Sequence, residues 1–236
     1  MKIAMWSGPR NLSTAMMYSF GARSDCAVWD EPFYAAYLAT TGLDHPMRAE
    51  ILAKGEQSAA NVAKRLIAEN PDGKQHFYQK HMTQHMINDV DRGWINEVKN
   101  VFLIRHPARV IASYDVKRQG LTLDDIGFWQ QAELFEKCKN PIVIDSHDIR
   151  EQPEAMLRLL CSSLEIGFDS AMLSWPTGGH KDDGVWAKHW YGAVHKSTGF
   201  SGAEPKLPEI SPALQPVLKA ALPFYRELEK YKLVVR

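Results

Sequence analysis

Met5-Trp6-Ser7-Gly8-Pro9-Arg10-Asn11-Leu12-Ser13-Thr14 follows the first apolar run of the chain and leads into residues spaced as a helix. A second segment has the same plan: Val101-Phe102-Leu103-Ile104 ends in Arg105-His106-Pro107, and Ala108 to Tyr114 then reads as a helix carrying Ser113. Phosphate and sulfate oxygens are held by free backbone N–H groups at a helix start, by hydroxyls in its first turn and by a fixed cation alongside. Gly8, Pro9, Arg10, Asn11, Ser13 and Thr14 offer that set in the first segment, and Arg105 and Ser113 in the second. The two segments read as halves of one nucleotide site.

Working outward, Lys2 to Trp6, Ala27-Val28-Trp29, Phe77-Tyr78 with its flanks, Val101 to Ile104 and Ile142-Val143-Ile144 read as strands. Helical spacing links Leu12, Ala15, Met16 and Phe20, then Val62, Ala63, Leu66 and Ile67, then Met156, Leu159, Leu160 and Leu164. Strands alternating with helices predict an α/β fold with a central parallel sheet flanked by helices. In such a sheet the carboxyl ends of the strands lie along one ligand-binding edge. Polar clusters end each strand there: Gly8-Pro9-Arg10, Asp30-Glu31, Lys80-His81, Arg105-His106 and Asp145-Ser146-His147. Solvated loops explain Asp145 well, but not a cation directly abutting the apolar run before Arg105.

Residues 175–207 lack clear periodicity and are rich in Gly, Pro, Lys and aromatics, with turns at Thr177-Gly178-Gly179 and Lys196-Ser197-Thr198-Gly199. Trp186, Trp190, Tyr191 and Phe200 favour an ordered lid or binding loop. Leu214, Val217, Leu218, Ala221 and Leu222 mark a last helix, which Pro223 is expected to kink or interrupt. There are no repeats, so residues 1–236 read as one domain.

Lys+Arg and Asp+Glu both number 28, so no global field favours nucleic acid or an anionic membrane. The three cysteines are widely spaced, which argues for a reducing compartment. The apolar start is too short for a signal peptide or a membrane span, and a cytoplasmic protein is expected. His76, His81 and His85 invite a zinc reading, but no glutamate completes a metal-binding pattern, and no metal is expected.

Gly8 to Thr14 lacks the Gly-Lys pair of a Walker loop. The segment resembles the 5′-phosphosulfate loop of the sulfotransferases, Pro-(Lys/Arg)-Ser-Gly-(Ser/Thr)-Thr. Pro9, Arg10, Ser13 and Thr14 match it; Asn11 is a mild change and Leu12 a departure. Arg105, Pro107 and Ser113 are similar to the family's 3′-phosphate motif, with His106 in place of Asp. The resemblance covers about residues 1–150, both motifs and the strand–helix order. It implies a P-loop kinase-like fold and the donor 3′-phosphoadenosine 5′-phosphosulfate (PAPS) as co-substrate.

The same resemblance implies Glu31, in Glu31-Pro32-Phe33, or His81, in Lys80-His81, as the base. As a plain structural feature, Asp30-Glu31-Pro32 also reads as a helix start capped by Asp30. Lys188, His195 and Lys196 stand where the family places a third donor-binding loop, but its Arg-Lys-Gly is missing. The implied reaction is in-line sulfuryl transfer to a hydroxyl or amine of a small-molecule acceptor, with Arg10 stabilising the transferring group. Trp29, Phe33, Tyr34 and Tyr37 suggest a partly apolar acceptor or a carbohydrate. A kinase-like phosphotransferase and a non-catalytic nucleotide-binding module remain the alternatives. The sequence is silent on oligomeric state.

Overall fold

Side chains alternating at a spacing of two decide the sheet. In β1 (Lys2–Ser7), Ile3 and Met5 enter one apolar cluster with Met16, Phe20 and Leu160, while Ala4 and Trp6 enter another with Leu66, Ile111 and Leu134. The strand is apolar on both sides, as a central strand covered on both faces must be. A computed structural model describes residues 1–115, 120–200 and 202–235. After β1 come α1 (Ser13–Gly21), β2 (Cys26–Asp30), α2 (Tyr34–Thr41), α3 (Arg48–Lys54) and α4 (Ala59–Ile67). Next are β3 (His76–Met82), β4 (Lys99–Ile104), α5 (Pro107–Asp115), α6 (Leu123–Ile126) and α7 (Phe128–Lys137). The chain continues through β5 (Ile142–Asp145), α8 (Ser146–Glu151), α9 (Pro153–Ser163), α10 (Ala187–Trp190) and α11 (Gln215–Glu229).

The five strands form one parallel sheet in the order β2-β3-β1-β4-β5. The order places β1 centrally, so the loop after it is flanked by the carboxyl ends of β3 and β4. Asn11 donates to the Leu103 carbonyl at 2.7 Å, and Gln131 donates to the carbonyls of Trp6 (3.1 Å) and Leu103 (3.0 Å). These bonds fix the ends of β1 and β4 to each other.

Three expectations need correction. Lys80 and His81 lie within β3, not beyond its end, so they point to opposite faces. Asp30 is the last residue of β2 and caps no helix; α2 begins only at Tyr34. Pro223 leaves α11 uninterrupted. Pro223 and Lys219, whose carbonyl loses its partner, are both exposed to water, while Ala221, Tyr225 and Leu228 anchor the helix in the core.

The stretch 175–207 is ordered by its aromatics: Trp175, Trp186 and Tyr191 are buried. Ser201, within that stretch, lies outside the described residues. Among the described residues no helix is long and apolar enough to cross a membrane.

Candidate active site

A cavity of about 280 Å³ opens at the carboxyl edge of the sheet, and the loop after β1 forms its floor. Gly8 starts that loop because nothing larger fits: a Cβ there would stand 2.4 Å from the Ile126 carbonyl oxygen. Arg10 and Leu12 both have left-handed backbones, with φ of 60° and 64°. Leu12 thus takes a conformation that favours glycine, at a cost of roughly 1–2 kcal/mol. Its side chain packs against the cluster around Met16, and its carbonyl accepts the first bond of α1, from Met16 N at 3.1 Å. Leu12 brings no side-chain acceptor to the start of α1, where Ser13, Thr14 and Ala15 line the cavity. An anion is the natural complement of such a helix start.

Arg10 lines the cavity and donates from Nε to Ser113 Oγ at 2.9 Å. Arg105 lines it too and donates through Nη1 to the Arg10 carbonyl. The structure therefore brings together the basic residues and hydroxyls of both sequence segments. His106 closes the start of α5: its Nδ1 accepts from the Ala108 N–H at 3.2 Å. Burial, with Arg109 nearby, lowers the His106 pKa and keeps the ring a neutral acceptor.

The opposite wall is built on charge. Lys80, 1% exposed, donates to Asp30 Oδ1 at 2.9 Å, Glu31 Oε1 at 2.6 Å and the Tyr191 hydroxyl at 2.8 Å. That hydroxyl also receives the Trp186 indole N–H at 2.9 Å and lies 3.1 Å from Glu31 Oε1. Asp30 accepts in addition from the Gly184 N–H at 3.0 Å. Burial works against the Lys80 charge, but Asp30 and Glu31 outweigh it and hold its pKa above the ordinary value. Burial raises the Glu31 carboxyl; Lys80 pulls it back and Asp30 adds to the rise. Glu31 lines the cavity with φ at 41°, and both of its contacts fall on Oε1.

His81 is not at the cavity. Its ring stacks on Trp6 at 4.3 Å, on the other face of the sheet, and burial with the nearby Lys80 charge lowers its pKa to about 3. Two other histidines line the cavity, His45 and His85. His85 stacks on Tyr34 at 4.6 Å and on Tyr37 at 4.8 Å. Its Nδ1 is buried without a partner, and burial holds its pKa well below the usual value. Lys188, His195 and Lys196 also stay away. Lys188 is exposed and reaches Glu50 at 3.9 Å, His195 pairs with Asp183 at 3.1 Å, and Lys196 is exposed. Trp190, Tyr191, Val194 and Ser197 line the cavity from that segment instead. Of the four aromatics expected near an acceptor, Tyr34 lines the cavity; Trp29 lies under Arg65, while Phe33 and Tyr37 pack beside His81 and His85.

Tyr191, His85 and the buried Glu204, which pairs with Arg105, escape a reading of the sequence. Each reaches the site by a contact that no local pattern encodes. The alternation of β3 was the one available signal, since it separates Lys80 from His81.

Comparison with known proteins gives a consistent picture. A family model described as "Sulfotransferase domain" matches residues 1–231. Two Arabidopsis thaliana proteins, branched-chain-amino-acid aminotransferase-like proteins 2 and 1, are each 37% identical, over 96% and 97% of this chain. The chain spans only 41% and 42% of their lengths. Among solved structures, the sulfotransferase domain from the curacin biosynthetic pathway is similar with a TM-score of 0.56 at 14% identity, covering 99% of this chain and 98% of that one. A sulfotransferase from Alicyclobacillus acidocaldarius has a TM-score of 0.52 at 13% identity, covering 99% and 96%. The fold is the P-loop kinase-like sulfotransferase fold.

Proposed function

The chain belongs to the sulfotransferase family, and on that premise we propose that it transfers a sulfuryl group from PAPS to a hydroxyl or amine of a small-molecule acceptor. The observation that carries this reading is convergence: Arg10, Arg105, Ser113 and the start of α1 line one cavity with Glu31 and Lys80. The donor supplies an activated sulfuryl group, and the residues of the chain supply position and charge. Arg10, Ser13 and Thr14 hold the 5′-phosphosulfate oxygens, with Gly8, Pro9 and Asn11 shaping the loop beneath. Arg105 and Ser113 hold the 3′-phosphate. Lys80 faces the transferring group, and Glu31, through the oxygen that Lys80 leaves open, takes the acceptor proton.

Residues 1–236 act as one catalytic unit in this reading, and 184–199 cover the cavity through Tyr191. The acceptor enters beside Tyr34, His45 and His85, a wall suited to a small molecule with an apolar or ring-shaped body.

The test is a mass-spectrometric acceptor screen with PAPS, paired with calorimetry of adenosine 3′,5′-bisphosphate. Sulfated product and metal-independent nucleotide binding are expected, because the loop has no Walker lysine. A loss of affinity in EDTA above about tenfold, or ~1.4 kcal/mol, would instead favour a phosphotransferase. Binding without turnover across a broad acceptor set would leave a nucleotide-binding module.

A further inference from the structure

Arg105 lines the cavity, but two nitrogens of its fork are already engaged by a carboxylate of the chain. Nε donates to Glu204 Oε1 at 3.1 Å, and Nη2 contacts the same oxygen. Arg150 Nη1 reaches that oxygen at 3.2 Å, and Arg109 Nε pairs with Oε2 at 2.9 Å. The Glu204 side chain is 1% exposed. The segment carrying it is tied to the same arginines by its backbone: Arg109 donates to the Pro205 carbonyl and Arg150 to that of Gly202.

Three guanidinium groups therefore meet around one carboxylate. A single oxygen, Oε1, faces three nitrogen donors, more than its two lone pairs accept well. A phosphate monoester brings three terminal oxygens and more charge, and so matches three guanidinium groups better than a carboxylate does. Without any anion the arginines would repel one another in a half-buried setting. A carboxylate supplied by the chain keeps them together until a better partner arrives.

We propose that Glu204 is the resident counter-ion of the Arg105, Arg109 and Arg150 cluster, and that the 3′-phosphate of the donor displaces it on binding. The inference rests on the donor reading above and adds a specificity device to it. A nucleotide lacking the 3′-phosphate cannot replace Glu204, so the fork of Arg105 stays engaged and only the 5′ half of the site is satisfied.

Calorimetry on the wild-type chain and Glu204→Gln tests this with adenosine 3′,5′-bisphosphate, adenosine 5′-monophosphate and inorganic phosphate. Glu204→Gln should bind the bisphosphate about tenfold more tightly, the scale of one charge-assisted contact, and the monophosphate with unchanged affinity. Unchanged or weaker bisphosphate binding would make Glu204 a fixed positioning residue and overturn the proposal. An equal gain for both nucleotides would do the same.

Should the variant not fold, hydrogen exchange on the wild type decides: saturating bisphosphate should speed exchange in 202–206, and slowing there overturns the displacement. If neither nucleotide binds either protein, the donor reading fails on its own. Inorganic phosphate then judges Glu204. Uptake by the variant alone upholds the resident counter-ion, and uptake by neither protein overturns it.

Discussion

At Arg105 one guanidinium serves both the cavity and Glu204, so its removal has a defined signature. Arg105→Ala should weaken adenosine 3′,5′-bisphosphate by roughly 1.5–3 kcal/mol, the worth of a charge-assisted contact, and leave adenosine 5′-monophosphate nearly unchanged by calorimetry. Equal weakening of both ligands would assign Arg105 to overall structure. Glu31 yields the pH prediction. Burial raises its pKa, so the carboxylate forms only above the ordinary range, and kcat/KM should rise as pH climbs through that raised value and fall below it. Glu31→Gln should lower kcat by about 10²–10⁴ and abolish that acidic limb. A limb that survives the substitution would move the proton acceptor to one of the imidazoles that line the cavity, His85 or His45.

Elements transmit these demands through their ends. The loop between β1 and α1 holds a left-handed leucine at 12, with Asn11 tying it to β4 and Gly8 letting it pass the Ile126 carbonyl. Gly8→Ala should destabilise the chain by about 1–3 kcal/mol, as overpacking does, and reduce nucleotide affinity; urea denaturation and calorimetry measure the two effects. If stability fell with binding intact, the loop would have no part in the donor site. The five strands and the two helix-opening motifs were legible in the sequence because each is a local pattern of period and spacing. What escaped is what joins distant segments. His81 was misplaced because β3 continues through it to Met82, which turns it onto Trp6. The cations at 188, 195 and 196 were expected at the ligand from the place of the family's third donor-binding loop, whereas the fold brings in Tyr191 from that stretch and Glu204 from further along it.

For the whole molecule, a nucleotide that engages α1, α5 and the segment around Tyr191 should stabilise the fold as a unit. At a bisphosphate concentration of 100 times Kd the linkage is ~2.7 kcal/mol, and at about 2–4 °C per kcal/mol for a domain of this size Tm should rise by roughly 5–11 °C. Scanning calorimetry measures the shift, and limited proteolysis should show protection confined to 184–199 in that stretch. Cleavage there that ignores saturating nucleotide would remove the cover from the donor site. The Tyr191 hydroxyl gives such a cover a further meaning. It touches Asp30, Glu31 and Lys80 together, so seating the cover buries the Glu31 carboxyl and raises it, while the Tyr191 hydroxyl bond itself pulls the carboxyl down. Lifting the cover would admit water to the carboxylate and remove the burial that raises it, leaving an ordinary weak base. On the proposed function, idle turnover, in which solvent consumes the donor before an acceptor arrives, would be suppressed by the same burial that prepares the productive reaction.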